Sequence, residues 1–473
     1  MTGKTALGWI EEKKSYLHDI NDKIWGFAEV GLQEYKSSSL LAEELEKAGF
    51  TVVRGVADMP TAFTATWGSG GPRIGFLAEY DALPHLSQKV VAYREPVQAG
   101  APGHGCGHNT YGTGVLGGVL ALQEEMKKDS LSGTIIFYGC PAEETLIGKV
   151  FMAREGLFDD LDCALTWHPT AFNTTWLSSG TAMNSAKFTF YGRTSHAADD
   201  PHLGRSALDA VELMNVGVNY LREHVIQEAR IHYVTTNGGG APNVVPPEAQ
   251  VWYYVRAPRR EDVDEIFERV KKIAAGAAMM TETRYELEIL TACYSVLSNK
   301  VLSDLLYESL VKIGPPKWTA EDIQLAKDLT ATFEPGGKEA VFRATGAPPE
   351  YLDKYLDDTI CKPYDEGKVG GGSTDVADVS WVTPTAQFMT CCSPLGCPGH
   401  SWQMVVASGS SLAHKGLELA AKTLALSGSK LLRNPELLRK AREEFAKATA
   451  GRPYRCAVPP EAKPPFKQLP EQF

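Results

Sequence analysis

The sequence predicts an α/β protein built on a mainly parallel sheet, with a ferredoxin-like α+β domain inserted into it. Its 473 residues exceed what one ordinary hydrophobic core holds, so we expect at least two domains. Apolar β-forming runs alternate with helical segments between residues 51 and 166, which is typical of a helix-covered parallel sheet. The pattern changes to the order βαββαβ between residues 184 and 293, which is typical of the ferredoxin-like arrangement.

The larger predicted domain comprises residues 1–183 and 294–473. Apolar residues at helical spacing predict helices over 9–27, 35–48, 111–127, 149–155 and 411–425. Apolar runs bounded by turn residues predict strands over 51–54, 62–66, 73–78, 134–138, 164–166 and 385–389. Residues 314–372 are rich in proline, glycine and charge and show no clear pattern. The tail after residue 451 is proline-rich and is predicted to run extended over the surface.

The inserted domain is predicted to span residues 184–293. Alternating apolar and polar residues predict strands over 187–192, 231–236, 250–257 and 285–290. Longer amphipathic stretches predict helices over 206–229 and 262–280. Together these elements give the predicted βαββαβ order.

Composition and charge exclude several classes of partner. The net charge of −11 argues against nucleic acid and against an anionic membrane surface. No segment reaches the roughly 20 apolar residues of a membrane helix. The polar N-terminal stretch, residues 1–14, has no signal-peptide core. Nine cysteines, an odd number at irregular spacing, argue against structural disulfides. These features together predict a cytoplasmic protein without nucleic-acid or membrane partners.

Several candidate metal ligands follow the apolar runs. Such positions lie at the carboxyl ends of strands, where open α/β sheets bind their ligands. Thiolate, imidazole and carboxylate together suit a divalent transition metal, and a second carboxylate beside a ligand suggests a general base for water. The sequence therefore predicts a metal-dependent hydrolase. The candidates are Cys106, His108, Glu143, Glu144, His168 and His400.

Each candidate also has a simpler interpretation. The loop with Cys106 and His108 could hold a buried thiol and a solvent-facing imidazole. Two adjacent glutamates favour the first turn of a helix. His168 could be a core histidine, and His400 could be a packing residue beside an aromatic side chain. Packing does not easily explain four such positions in one domain, so the metal site is the favoured hypothesis.

The chain resembles the M20 family of metallopeptidases and amidohydrolases over nearly its whole length. The motifs that carry this resemblance are long and occur in matching order. They lie at residues 28–34, 79–83, 103–109, 141–144, 165–169, 195–198, 201–210, 242–245, 373–376, 400–403 and 412–416.

The resemblance implies two divalent metal ions per chain, Mn²⁺ or Zn²⁺, in the larger, catalytic domain. By motif match, Cys106 resembles the ligand that bridges the two ions. His108 and His168 resemble terminal ligands of one ion. Glu144 and His400 resemble ligands of the other.

The resemblance also assigns roles beside the ligands. Glu143 matches the general base. Many relatives carry Asp where this chain has Asn109, and the classical peptidases carry a ligand His where it has Glu79. The branch with the Cys-Gly-His motif also lacks that His, so Asp81 is expected to orient a ligand rather than bind the ion.

The inserted domain is implied to be a dimerisation, or lid, domain. His196 matches a catalytic histidine that crosses the interface of a homodimer and donates to the oxyanion in the site of the second subunit. Without the resemblance, it would be interpreted as a helix-start residue. Asn243 and Arg256 resemble residues that bind the substrate carboxylate, although Arg256 could be a simple surface residue. His202 and Arg205 are expected to help shape the amino-acid end of the site.

The expected substrate is a small amide that carries an amino-acid carboxylate. The resemblance implies hydrolysis of p-aminobenzoyl-glutamate to p-aminobenzoate and glutamate, the use of a folate breakdown product. One alternative is hydrolysis of another N-acyl or aryl amino-acid conjugate. An alternative of another class is a non-catalytic, metal-binding partner subunit. The resemblance leaves open a heteromeric assembly with an A-type subunit as the partner.

Overall fold

The computed structural model describes residues 3–466, so the predictions for residues 1–2 and 467–473 lie outside the described residues. The helices are α1 Lys4–Phe27, α2 Tyr35–Lys47, α3 His108–Asp129, α4 Gly148–Arg154, α5 Ala207–Leu221, α6 Arg260–Met280, α7 Lys300–Ile313, α8 Ala320–Thr330, α9 Gly337–Thr345, α10 Val376–Val382, α11 Trp402–Ser408, α12 Ser411–Arg433 and α13 Pro435–Thr449. The strands are β1 Thr51–Arg54, β2 Phe63–Ser69, β3 Arg73–Ala78, β4 Gly133–Gly139, β5 Cys163–Thr170, β6 Thr174–Trp176, β7 Ala182–Tyr191, β8 Arg230–Asn237, β9 Glu248–Ala257, β10 Arg284–Cys293 and β11 Thr385–Cys391.

The larger sheet has seven strands in the order β1-β2-β4-β3-β5-β11-β6. Strands β4, β3, β5 and β11 are mutually parallel, whereas the outer strands pair antiparallel. The central strands are apolar because helices cover them, as in most parallel sheets. Helices α1, α3 and α12 contribute to the core against this sheet. The predicted mainly parallel α/β fold is confirmed.

The smaller sheet has four antiparallel strands in the order β10-β7-β9-β8. With α5 and α6 between them along the chain, these strands form the ferredoxin-like arrangement that the sequence predicts. The unit has its own hydrophobic core, which includes Phe188, Val211, Tyr253 and Phe267. The division at residues 184–293 stays a prediction.

Several local predictions differ from the structure. The helix predicted over 411–425 continues to Arg433, and the strand predicted over 164–166 extends to Thr170. The helix predicted over 206–229 ends at Leu221, because the chain turns there to enter the edge strand β8. The segment without a clear pattern contains α8 and α9, and Thr319 with Asp322 forms a capping box that starts α8. The tail after residue 451 is anchored, since Tyr454 Oη donates to Asp378 Oδ1 at 2.6 Å and Val458 is buried.

Within residues 3–466, no helix is both long enough and apolar enough to cross a membrane.

Candidate active site

The candidate ligands meet at the carboxyl edge of the larger sheet. Asp81 follows β3, Glu143 and Glu144 follow β4, and His168 lies near the end of β5. The loop after β11 brings His400 to the same edge. Because these four strands are parallel neighbours, residues more than 300 positions apart in the chain converge on one place.

The first potential ligand group contains Cys106, His108 and His168, whose ligand atoms lie within 4.8 Å of one another. Cys106 Sγ lies 3.6 Å from His168 Nε2. Gly107 has a φ of 82°, which favours glycine, and this turn lets Cys106 and His108 face the same space as α3 begins. Asp81 Oδ1 lies 2.8 Å from His108 Nδ1, leaving His108 Nε2 to face the group.

The second potential ligand group contains Cys106, Glu144 and His400. His400 Nε2 lies 3.4 Å from Glu144 Oε2. The backbone N–H of Glu144 donates to Asp81 Oδ2 at 2.9 Å, so one Asp81 carboxylate contacts a member of each group. Cys106 belongs to both groups, which is the arrangement needed for a thiolate shared by two ions.

A third group adds Glu79 to His108 and Glu143. Glu79 Oε2 lies 3.3 Å from His108 Nε2, and Glu143 Oε2 lies 3.9 Å from the same nitrogen. Sequence reasoning noted Glu79 only as a departure from a family pattern. Its place next to Tyr80 and Asp81, directly after β3, was the signal that could have indicated a functional position.

A buried lysine balances part of this negative charge. Lys149 Nζ lies 2.7 Å from Glu79 Oε1 and 2.6 Å from Asp375 Oδ1, and all three side chains are buried. The backbone N–H of Lys149 also donates to Asp375 Oδ2 at 2.8 Å. The sequence patterns assigned no role to Lys149 or Asp375. A lysine directly before the apolar run 150–153 of helix α4 was the available signal.

The carboxyl groups are crowded enough to perturb one another. Burial, reinforced by the charge of Glu79, raises the pKa of Glu143 well above its usual range. Burial raises the pKa of Glu144 to about 7 and that of the Cys106 thiol to about 12. Three buried polar atoms of this site make no hydrogen bond among residues 3–466: Glu144 Oε1, and also Glu79 Oε2 and His108 Nε2, which approach each other to 3.3 Å without hydrogen-bond geometry. Ligand atoms without hydrogen bonds amid excess negative charge fit the binding of divalent cations.

A cavity of about 320 Å³, which we call cavity A, is lined by the potential ligands Cys106, Glu144, His168 and His400 together with Glu79 and Glu143. Its wall also includes Trp176, Tyr254 and Arg256. Arg256 comes from β9 of the smaller sheet and donates from Nη1 to Ser373 Oγ at 2.8 Å. The structure therefore places Arg256 within the same cavity as the potential metal ligands rather than on an open surface.

The predicted catalytic residue His196 and the other predicted substrate residues lie elsewhere on the smaller-sheet unit. His196, His202, Arg205 and Asn243 do not line cavity A. The backbone N–H groups of residues 198 and 199 donate to His196 Nδ1, and the Arg205 guanidinium pairs with Glu282 at 2.9 Å. Within one chain the structure does not bring these four residues to the ligand groups.

His104 also lies apart from the ligand groups, although it belongs to the same motif as Cys106. Its Nε2 lies 3.1 Å from the carbonyl oxygen of Ile24. Burial lowers the pKa of His104 to about 4, so the imidazole is neutral at physiological pH. It therefore packs against α1.

Comparison with known proteins agrees with this architecture. Residues 183–279 match the family model described as the M20 peptidase dimerisation domain. The chain is 43% identical to the B subunit of p-aminobenzoyl-glutamate hydrolase from Escherichia coli (strain K12) over 466 residues, covering 96% of this chain and 97% of that relative. The chain belongs to the M20 family. This family comprises peptidases and amidohydrolases that act on amide bonds, so the chain is an amide hydrolase by membership.

Solved structures of M20 proteins share the fold. The aminobenzoyl-glutamate utilization protein from Klebsiella pneumoniae superposes with a TM-score of 0.58 at 19% identity, covering 87% of this chain and 97% of that one. A dinuclear metal-binding peptidase of the M20 family from Bacillus subtilis superposes with a TM-score of 0.57 at 15% identity, covering 89% and 99%. At these identities the likeness supports the fold.

Proposed function

We propose that this protein hydrolyses p-aminobenzoyl-glutamate to p-aminobenzoate and glutamate. The observation that carries the proposal is the convergence of two ligand groups on Cys106 beside Glu143. The similarity over nearly the full length to the B subunit of p-aminobenzoyl-glutamate hydrolase supports this substrate. Other N-acyl or aryl amino-acid conjugates are the alternative, because one scaffold can serve many substrates.

Two divalent ions, Mn²⁺ or Zn²⁺, fit the ligand groups. Cys106 would be shared, His108 and His168 would hold one ion, and Glu144 and His400 would hold the other. Asp81 would fix the orientation of His108 through Nδ1, as partners of metal-binding histidines commonly do. When bound, such ions lower the pKa of water and polarise a carbonyl group.

Glu143 would move the proton in this reaction. Its carboxylate takes a proton from the attacking water and returns it to the amide nitrogen, which leaves as an amine. The side chain is buried and borders cavity A, so most of its surface is withdrawn from bulk water.

Arg256 would bind the carboxylate of the amino-acid half. A guanidinium can hold a carboxylate with two parallel hydrogen bonds, and the contact with Ser373 orients it at the cavity wall. Asn243, His202 and Arg205 would complete this end of the site from the second subunit of a homodimer.

A homodimer through the smaller-sheet unit would explain why His196 lies away from cavity A. We expect a mixed dimer, with Glu143→Ala in one subunit and His196→Ala in the other, to regain about half of the parental activity, since one of its two sites is complete. Each homodimeric variant should be nearly inactive. Tandem affinity tags isolate the mixed dimer, and a mixed dimer as inactive as both homodimers would contradict catalysis across the interface.

Release of p-aminobenzoate from p-aminobenzoyl-glutamate tests the proposed function. Manganese-loaded protein should release it, and removal of the ions by a chelator should abolish release until Mn²⁺ is restored. Metal bound at about two ions per chain without release would point to other N-acyl amino acids or to a required A-type partner subunit. Absence of both bound metal and p-aminobenzoate release would contradict the proposed function. It would also contradict the alternative of a non-catalytic, metal-binding partner subunit.

A further inference from the structure

A second, larger cavity adjoins cavity A. We call it cavity B; its volume is about 680 Å³. Cys106, His168 and Trp176 line both cavities, so potential metal ligands stand at their boundary. Apolar and aromatic side chains form much of the remaining wall of cavity B. They include Phe172, Val341, Tyr364, Met389 and Met404.

Residues 337–371 supply one wall of cavity B and form a folded structure. The ring of Phe172 packs edge-on against Phe342, Tyr351 and Tyr364 at centroid distances of 5.7, 5.5 and 5.6 Å. These residues form a small hydrophobic cluster of their own. Aromatic packing of this kind stabilises beyond the area that it buries. The cavity wall is therefore formed before any ligand binds.

Buried polar contacts fasten this wall to the larger sheet. Asn173 Nδ2 donates to the carbonyl oxygens of Asp357 and Thr359 at 3.2 and 3.0 Å. The Asp365 carboxylate accepts hydrogen bonds from the backbone N–H groups of Leu177 and Ser178. Because these contacts already hold the cavity wall in place, fewer groups lose conformational freedom when a ligand binds, and the entropic cost of binding is lower.

The two cavities differ in the chemistry that they offer. Cavity A places the guanidinium of Arg256, which can pair with a carboxylate, together with the acidic residues Glu79, Glu143 and Glu144, whereas cavity B is largely apolar. A substrate amide placed at Cys106 and His168 would therefore extend its amino-acid half into A and its acyl half into B. We propose that cavity B is the binding site for an aromatic acyl group. This inference rests on the proposed function and names the part of the chain that selects its substrate.

The volume of cavity B sets an expectation for acyl size. A cavity of about 150 Å³ is enough to bind benzene. Cavity B, at about 680 Å³, therefore has room for an aminobenzoyl ring with a further substituent. The lining of cavity B also includes two exposed, positively charged residues, Arg343 and Lys368. Because these side chains could attract carboxylates, the amino-acid half of the substrate is the competing candidate for cavity B.

The test narrows cavity B without touching the ligand groups. Ala344 lies on α9, is exposed and lines the cavity, so Ala344→Trp fills it. Ala340 lies one turn earlier on α9, is exposed and is not in the lining, so Ala340→Trp is the matched control. Dissociation constants for p-aminobenzoate and for L-glutamate are measured separately by calorimetry on manganese-loaded protein. Val341→Phe provides a second variant that narrows the same cavity.

We expect Ala344→Trp to weaken p-aminobenzoate binding at least tenfold and to leave L-glutamate binding unchanged. Ala340→Trp should change neither. Weaker glutamate binding with unchanged p-aminobenzoate binding would overturn the inference and assign cavity B to the amino-acid half. Equal effects on both ligands, or a parent that does not bind p-aminobenzoate, would also overturn it. Because binding is measured without turnover, a failed release assay remains distinguishable from a failed cavity assignment.

Discussion

Glu143→Gln is expected to lower kcat by about 10²–10⁴-fold, the range that general acid–base catalysis contributes. The glutamine amide has nearly the same shape as the carboxyl but cannot accept the proton from water. The variant should fold normally, because burial and the charge of Glu79 favour a neutral group at this position. Metal content should also stay the same, because the proposed ligands are other residues. Turnover of p-aminobenzoyl-glutamate and metal content are measured on the same preparation.

Glu155→Gln is the matched control for this substitution. Glu155 caps the end of α4 with a side chain that is 50% exposed, and it pairs with Arg154 on the surface. Its replacement should leave both turnover and metal content at the parental level. Parental turnover in Glu143→Gln would assign proton transfer to another group. Loss of metal together with activity would make Glu143 a ligand instead of a base.

Lys149→Met is expected to lower the free energy of unfolding by about 3–5 kcal/mol, the cost of breaking a buried ion pair by removing one partner. Methionine fits the space of the lysine stem but leaves the Glu79 and Asp375 carboxylates buried without their cation. The effect is measured as the shift of the urea unfolding curve, followed by tryptophan fluorescence. The added substitution Asp375→Asn should recover part of the loss, because it removes one of the uncompensated charges.

Lys127→Met is the matched control for stability. Lys127 on α3 pairs with Glu124 at 2.8 Å, but its side chain is 45% exposed. A surface pair of this kind contributes about 0–1 kcal/mol. Equal unfolding curves for Lys149→Met and Lys127→Met would contradict a stabilising role of the buried network.

Much of the architecture follows from local sequence patterns. The strand predicted over 73–78 matches β3, a continuous apolar run of the kind found in a strand buried on both faces. The alternating segment 250–257 lies within β9, because period-two apolar spacing is a direct consequence of strand geometry. Helix ends were harder to predict. The helix predicted to residue 229 stops at Leu221, where the path into β8 overrides the local pattern.

The sequence also predicted the residue types of the candidate site. Cysteine, histidine and glutamate after apolar runs indicated metal chemistry, and the family motifs indicated how the ligands divide between two ions. The structure adds that Cys106 stands in both groups and that Asp81 contacts His108 and Glu144 together. The catalytic and ligand roles themselves stay predictions.

By itself, the sequence determined the fold class, the family and the set of chemically capable residues, because these depend on periodicity, motifs and side-chain type. Only the tertiary structure decided which carboxylates lie together in one buried space and that Lys149 pairs with both Glu79 and Asp375. Only the tertiary structure also showed that residues 337–371 form part of the wall of a second cavity. The physical reason is that charge crowding and cavity shape arise from side chains brought together across hundreds of residues. Local sequence patterns do not specify the distances between such side chains. These distances are set by the packing of the parallel strands against one another and against their covering helices.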